Sequence, residues 1–187
     1  MKRITIIIAL MLSLCISAQA KLIPSSLFSD GMVLQQNTNA KIWGKAAPGS
    51  QISVTTSWNG ATYRAKTDKE GHWTIYASTP SASYKPYTVT IKGDGQTIRI
   101  NDVLIGEVWF ASGQSNMEMP MCGYYNCPVE NSLEYISAPA AREKIRMFKV
   151  HQNQTYEPLE DVENSRWEGA DSYSIAYMSA GAYFFAR

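Results

Sequence analysis

The stretch Val103-Leu104-Ile105-Gly106-Glu107-Val108-Trp109-Phe110-Ala111, which runs straight into Ser112-Gly113-Gln114-Ser115-Asn116-Met117, separates two different sequence grammars. Its first nine residues are almost continuously apolar. A strand covered on both faces has that composition, and such strands belong to parallel sheets flanked by helices. The small-residue turn that follows would leave the sheet at its carboxyl edge, where α/β proteins place their ligands. The expectation is an α/β domain beginning near residue 105.

Upstream the grammar is that of short strands between turn signals. Met32-Val33-Leu34 and Ala40 to Trp43 are apolar runs, and Ala47-Pro48-Gly49 is a turn. Gln51-Ile52-Ser53-Val54-Thr55 alternates with period two, and Asn59-Gly60 is a strong hairpin signal before the return strand Thr62 to Lys66. Lys69-Glu70-Gly71 turns into His72 to Ala77, and Tyr87 to Lys92 turns at Gly93-Asp94-Gly95 into Thr97 to Ile100. Strands at this spacing with Gly, Pro and Asn punctuation predict an antiparallel β-sandwich over 21–104. Trp43 and Trp58 read as core or interface aromatics. His72 reads as a polar residue leaving a turn beside a core Trp73, with a sugar platform as its alternative.

Downstream, Ile145 to Val150 is a second short strand. Residues 157–171 carry six acids and read as a solvated loop. Ile175, Met178, Ala182 and Phe185 step at helical spacing, with Asp171 or Ser172 as the cap. A stretch of 83 residues is short for an α/β domain, so 105–187 is expected to be the amino-terminal part of a truncated one.

The first twenty residues read as a secretory signal peptide. Lys2 and Arg3 are charged, Ile4 to Leu14 is apolar, and Ala18-Gln19-Ala20 offers a small-x-small cleavage site. The apolar run is shorter than the roughly 20 residues that span a bilayer, which disfavours a membrane anchor. Cleavage would leave 15 basic against 16 acidic residues. The expected location is periplasmic or extracellular, with no membrane association after cleavage. With 187 residues, a formal charge of +1 and 45% hydrophobic residues, the chain has no field for attracting phosphates, which excludes charge-driven nucleic-acid binding. Eleven Tyr and five Trp suit β-rich packing or a sugar-facing surface. No obligate protein partner is evident.

Export implies an oxidising compartment. Cys122 and Cys127, with Gly123 and Pro128 beside them, are spaced to close a small disulfide loop, and two free thiols are the alternative. A zinc site needs more ligands than these two offer, and no histidine lies nearby, so no metal and no cofactor are expected.

A serine in a small-residue turn is a candidate nucleophile only if a base activates it. Gly113 permits close backbone approach, and Ser115 and Asn116 can open a helix whose N–H groups face a developing oxyanion. A satisfied turn serine has the same spacing.

The block Gly106-Glu107-Val108-Trp109-Phe110-Ala111-Ser112-Gly113-Gln114-Ser115-Asn116-Met117-Glu118-Met119-Pro120 resembles the signature of the sialate O-acetylesterase family, a branch of the SGNH (GDSL-like) hydrolases. Leu27-Phe28-Ser29-Asp30-Gly31-Met32-Val33-Leu34-Gln35-Gln36 resembles the family's opening strand. Trp43-Gly44 with Ala47-Pro48-Gly49, and Thr67-Asp68-Lys69-Glu70-Gly71-His72-Trp73, resemble its sandwich, while Ile145-Arg146-Met147-Phe148 and Ser179 to Arg187 resemble later segments. The resemblance implies a β-sandwich followed by an incomplete three-layer, flavodoxin-like α/β domain. It implies that Ser115 is the catalytic nucleophile, with Gly113, Gln114 and Asn116 beside the oxyanion or substrate, and that the partner is an acetylated sugar or glycan.

The family's second oxyanion glycine, its Gln-Gly-Glu segment and its late Asp-x-x-His pair have no match here. His72 and His151 are the two histidines, and the resemblance gives neither a catalytic role. The chain alone is therefore expected to be inactive or nearly so. Two further readings stand beside the carbohydrate esterase: an exported module whose sandwich binds a glycan or a partner, and another serine hydrolase. The latter is disfavoured because the turn lacks a Gly-x-Ser-x-Gly elbow.

Overall fold

The structure is a computed structural model that describes residues 21–137, 145–162 and 164–187. The signal-peptide reading of residues 1–20 lies outside the described residues. Eight strands come first: β1 (Ile23–Pro24), β2 (Val33–Gln35), β3 (Asn39–Lys45), β4 (Gln51–Thr56), β5 (Thr62–Lys66), β6 (His72–Ser78), β7 (Ser83–Gly93) and β8 (Gln96–Gly106). Helices α1 (Ser115–Glu118) and α2 (Ser132–Ser137), strands β9 (Arg146–Phe148) and β10 (Trp167–Gly169), and helices α3 (Ser172–Tyr177) and α4 (Ala180–Ala186) follow. Among the described residues the chain is mostly sheet with few, short helices.

β1, β3 and β6 form one antiparallel sheet, and β2-β8-β7-β4-β5 forms a second in which only the β2–β8 pair is parallel. Period-two alternation decides which side chains go inside. On β6, Trp73, Ile75 and Ala77 are buried while Thr74, Tyr76 and Ser78 face water. Ile42 lies opposite Ile75 across β3–β6, and Val54 lies opposite Ile91 across β4–β7. The inward residues of both sheets enter one cluster with Leu22, Met32, Ile52, Val89, Ile100 and Val103. Each of these larger side chains contributes roughly 1.5–3 kcal/mol on burial, so this cluster is the main source of stability.

The turns work by two mechanisms. Asp94 and Gly95, at φ 50° and 70°, make the tight two-residue hairpin between β7 and β8. The Asn59-Gly60 loop is longer. There only Gly60 is left-handed, and Asn59 Oδ1 accepts from the Ala61 N–H at 3.0 Å and the Thr56 hydroxyl at 2.6 Å.

The stretch beginning at Val103 behaves differently from its expectation. Val103, Leu104 and Ile105 are buried, but β8 ends at Gly106, and Val108, Trp109 and Phe110 are exposed without strand pairing. The buried part completes the second sheet, between β7 and β2, so residue 104 falls inside a strand. An apolar run therefore covered two structures: the end of a strand in the mixed sheet, and a segment whose large side chains project outward. Beyond β8 the described sheet is the antiparallel β9–β10 pair, Trp167 opposite Phe148, and no three-layer α/β arrangement is displayed among the described residues.

The helix expected from Ser172 is two helices. Asp171 caps α3 by accepting from the Ser174 N–H at 2.7 Å, and Met178 leaves helical geometry at ψ 152°. Ser179 then caps α4 from the Ala182 N–H. Met121, Ile175, Ala180 and Tyr183 form a small second core between these helices and residues 119–122.

The acidic segment is not simply solvated. Asp161 accepts from the Ser25 hydroxyl at 2.9 Å, the Ser26 hydroxyl at 2.6 Å and the Ser26 N–H at 3.0 Å. Glu160 pairs with Lys45 at 2.7 Å and His72 Nε2 at 3.2 Å. Charged residues at a loop tip read as solvent-facing until a sheet edge with matching donors is brought to them.

Candidate functional site

Ser115 is the first residue of α1 and is exposed. Gln114 precedes it at the N-cap position without a side-chain cap bond, and its carbonyl accepts from the Met117 and Glu118 N–H groups at 2.9 and 3.0 Å. Asn116 is exposed beside Ser115. Gly113 packs so closely that a Cβ there would lie 2.9 Å from Met117 Cβ.

The turn is held from below by the carboxy-terminal helices. Met117 Sδ accepts from the Ser179 hydroxyl at 3.2 Å, and the Ala180 N–H donates to the Met119 carbonyl at 2.9 Å. The Met121 and Cys122 N–H groups donate to the carbonyls of Met178 and Ala176 at 2.9 and 3.0 Å. Trp109 meets Phe185 edge to face at 5.1 Å between ring centroids.

It is held from the side of the five-stranded sheet by residues that the sequence reading did not assign a role. Gln35 and Gln36 donate their side-chain amides to the Glu107 carboxylate at 3.0 and 2.5 Å, and Gln35 Oε1 accepts from the Val108 N–H at 2.8 Å. The bond from Gln35, and then that from Gln36, holds the Glu107 carboxyl below the usual glutamate range. The signal for it was present: Glu107 is the one charge in an otherwise apolar run.

The segment 27–36 proves to be a hub. Leu27 carbonyl accepts from Trp167 Nε1 at 2.7 Å, and Phe28 meets Trp43 edge to face at 4.7 Å. Asp30 accepts from the Asn101 N–H at 2.6 Å, beside a bulge where Asp102 takes φ 54°. Arg146 bonds Asp102 at 2.7 Å and the Gly31 carbonyl at 3.3 Å, so β9 is docked on the same segment.

The two histidines are elsewhere. His72 places Nδ1 3.5 Å from Asp68 and Nε2 3.2 Å from Glu160, so both ring nitrogens face carboxylates. His151 is exposed and lines a cleft of about 430 Å³ with Ser25, Leu27, Leu159 and Asp161, a cleft that Ser115 does not line. Among the described residues the Ser115 hydroxyl has no hydrogen-bond partner. Cys122 and Cys127, read as able to form a disulfide, are exposed free thiols. Their loop is closed instead by reciprocal backbone bonds between Tyr124 and Cys127 at 3.0 and 2.9 Å, with Gly123 at φ 74°. No cluster of metal-ligating side chains occurs among the described residues, and none of their helices is long and apolar enough to cross a membrane.

In fold, the chain is similar to a carbohydrate acetylesterase from Xanthomonas citri, with a TM-score of 0.79 and 28% identity over 88% of this chain and 36% of that one. In sequence it is 31% identical to the sialate O-acetylesterases of Pongo abelii and Homo sapiens and 30% identical to that of Mus musculus, in each case over 87% of this chain. Over these spans the chain resembles the sialate O-acetylesterases. It spans about a third of the length of these curated relatives. No family model matches it.

Proposed function

We propose that this chain carries the nucleophile of a serine-dependent O-acetylesterase acting on acetylated sugars, with sialic acids as the first substrate class. The observation that carries the reading is the placement of Ser115: exposed, with a hydroxyl unengaged among the described residues, at the first turn of a helix held on two sides. Ser115 Oγ would attack the acetyl carbonyl carbon while a base takes its proton. The sugar oxygen would leave with a proton, and water would then release acetate and restore the hydroxyl. The Ser115 N–H would donate to the developing oxyanion, and Gly113, Gln114 and Asn116 would shape the approach. The mechanism calls for no metal. The signal-peptide reading of residues 1–20 supports an exported enzyme.

Among the described residues no base is hydrogen-bonded to Ser115 Oγ. Neither His72 nor His151 follows an aspartate by three residues, and His72 is already engaged by Asp68 and Glu160. The 187 residues alone are therefore expected to hydrolyse an aryl acetate no faster than their Ser115→Ala variant, because a serine hydrolase without its base loses several orders of magnitude in rate. Turnover by this chain that Ser115→Ala abolishes would show that the base lies within it. The decisive experiment expresses the reading frame continued past the Arg187 codon and measures acetate released from an O-acetylated sialic acid. Release that falls about a thousandfold or more in Ser115→Ala supports the reading. Release unaffected by that substitution, or none, refutes it.

A further inference from the structure

We propose that Gln35 and Glu107 are positioning residues for Ser115, a clamp that carries the rigidity of the sandwich into the nucleophile's turn. The inference rests on the reading of Ser115 as nucleophile. β8 ends at Gly106, and residues 107–113 lie in no strand or helix. Among the described residues, the side-chain hydrogen bonds that tie 107–113 to the rest of the chain are those of Gln35 and Gln36 on Glu107 and Val108. The other restraint is the Trp109–Phe185 ring contact, on the opposite flank.

The register explains why these residues meet. Parallel pairing of β2 with β8 sets Gln35 opposite Gly106, and the Gln36 N–H donates to the Gly106 carbonyl at 2.9 Å. The Gln35 side chain then reaches one residue further on. Its amide is used at both ends, donating to Glu107 and accepting from Val108. Gln36 is oriented in turn, because its Oε1 accepts from the Ala82 N–H at 2.8 Å. A carboxylate flanked by two oriented amide donors fixes the chain's exit direction better than a solvated side chain would. Without it, residues 107–113 would pivot between the sheet and α1. A serine nucleophile depends on placement within a fraction of an ångström, so that pivot costs catalysis more than it costs folding.

The test is a charge swap. Gln35→Glu sets two carboxylates against each other and loses the donor. Glu107→Gln alone keeps one bond, since Gln36 still donates to the new amide oxygen. The double variant Gln35→Glu/Glu107→Gln rebuilds the pair with donor and acceptor exchanged, while the carboxylate introduced at position 35 can still accept from the Val108 N–H.

In the 187-residue chain, amide exchange at Val108 and across 114–118 is expected to accelerate about tenfold in Gln35→Glu, to change less in Glu107→Gln, and to return near wild type in the double variant, with β3 and β6 unaffected throughout. In the longer reading frame, acetate release is expected to lose about tenfold in kcat with KM nearly unchanged in Gln35→Glu, and to recover with the swap. Faster exchange confined to Val108, or a swap that rescues neither readout, overturns the clamp while leaving the esterase reading intact. Acetate release that ignores Ser115→Ala removes the nucleophile and this inference with it. Should Gln35→Glu fail to fold, the double variant and Glu107→Gln still decide: a folded double variant with wild-type exchange and kcat supports the clamp, and one with loosened 114–118 refutes it.

Discussion

Replacing Asp161 by alanine should detach the acidic segment from Ser25 and Ser26, the residues that follow β1. The Ser26 hydroxyl keeps the Val162 carbonyl at 2.5 Å, but three donors lose their acceptor: the Ser25 hydroxyl, the Ser26 N–H and the Val162 N–H, at 2.9, 3.0 and 2.9 Å. Ser25 is buried, so its hydroxyl is left without easy access to water. A net value of about 1 kcal/mol per hydrogen bond gives about 3 kcal/mol, which solvent at this exposed carboxylate reduces to about 2 kcal/mol. For a chain of this size that corresponds to about 4–8 °C in Tm.

The effect has a defined pH dependence. Burial pushes the Asp161 carboxyl up, but the hydrogen bonds from the Ser26 hydroxyl and N–H, from Val162 N–H and from Ser25 outweigh it and hold the group below the usual aspartate range. A carboxyl whose pKa falls on folding stabilises fully above its unfolded value, near 4, and loses that contribution as pH drops through the folded value. The gap in Tm between wild type and Asp161→Ala should therefore be constant at neutral pH and close below about pH 4. Thermal melts at pH 7 and pH 3, with limited proteolysis of 150–164, measure it. Equal melting temperatures at neutral pH with no new cleavage in that segment would refute the docking argument.

Gly44→Ala would bring a Cβ to 2.3 Å from the Ile23 carbonyl oxygen and 2.8 Å from the Trp73 ring, so β1 must leave β3; a loss of about 2–3 kcal/mol in urea denaturation is expected. Ser115→Ala, by contrast, changes an exposed side chain and should leave the stability of the 187-residue chain, measured in the same way, within about 0.5 kcal/mol of wild type. Cys122 and Cys127 should both react with a maleimide in the folded protein, as exposed thiols do; a Cys122–Cys127 disulfide in a non-reducing peptide map of protein prepared without reductant would refute the free-thiol reading.

Much of the site was readable as chemistry but not as placement. Ser115 at the opening of a short helix and Asp171 as a helix cap were each legible, because each depends on residues within a few positions of one another. Asp161 and Arg146 were not. Their partners are Ser25, Ser26, Gly31 and Asp102, all more than 40 residues away, and local composition makes an acidic loop look solvated whether or not a sheet edge awaits it.

Alternation of period two and turn residues at Asn59-Gly60, Gly71 and Asp94-Gly95 were enough to place β4 through β6 and the 87–92 and 97–100 parts of β7 and β8, since strand faces and left-handed turns are local properties of the chain. Where the apolar run 103–111 stops being a strand was decided only by tertiary structure. Hydrophobicity records a preference for leaving water, not which surface will provide the cover, and β2 and β7 reach only as far as Gly106. Past that point the same kind of side chain faces outward, and Gln35 meets Glu107, 72 positions further along the chain, because the parallel pairing of β2 with β8 sets the register.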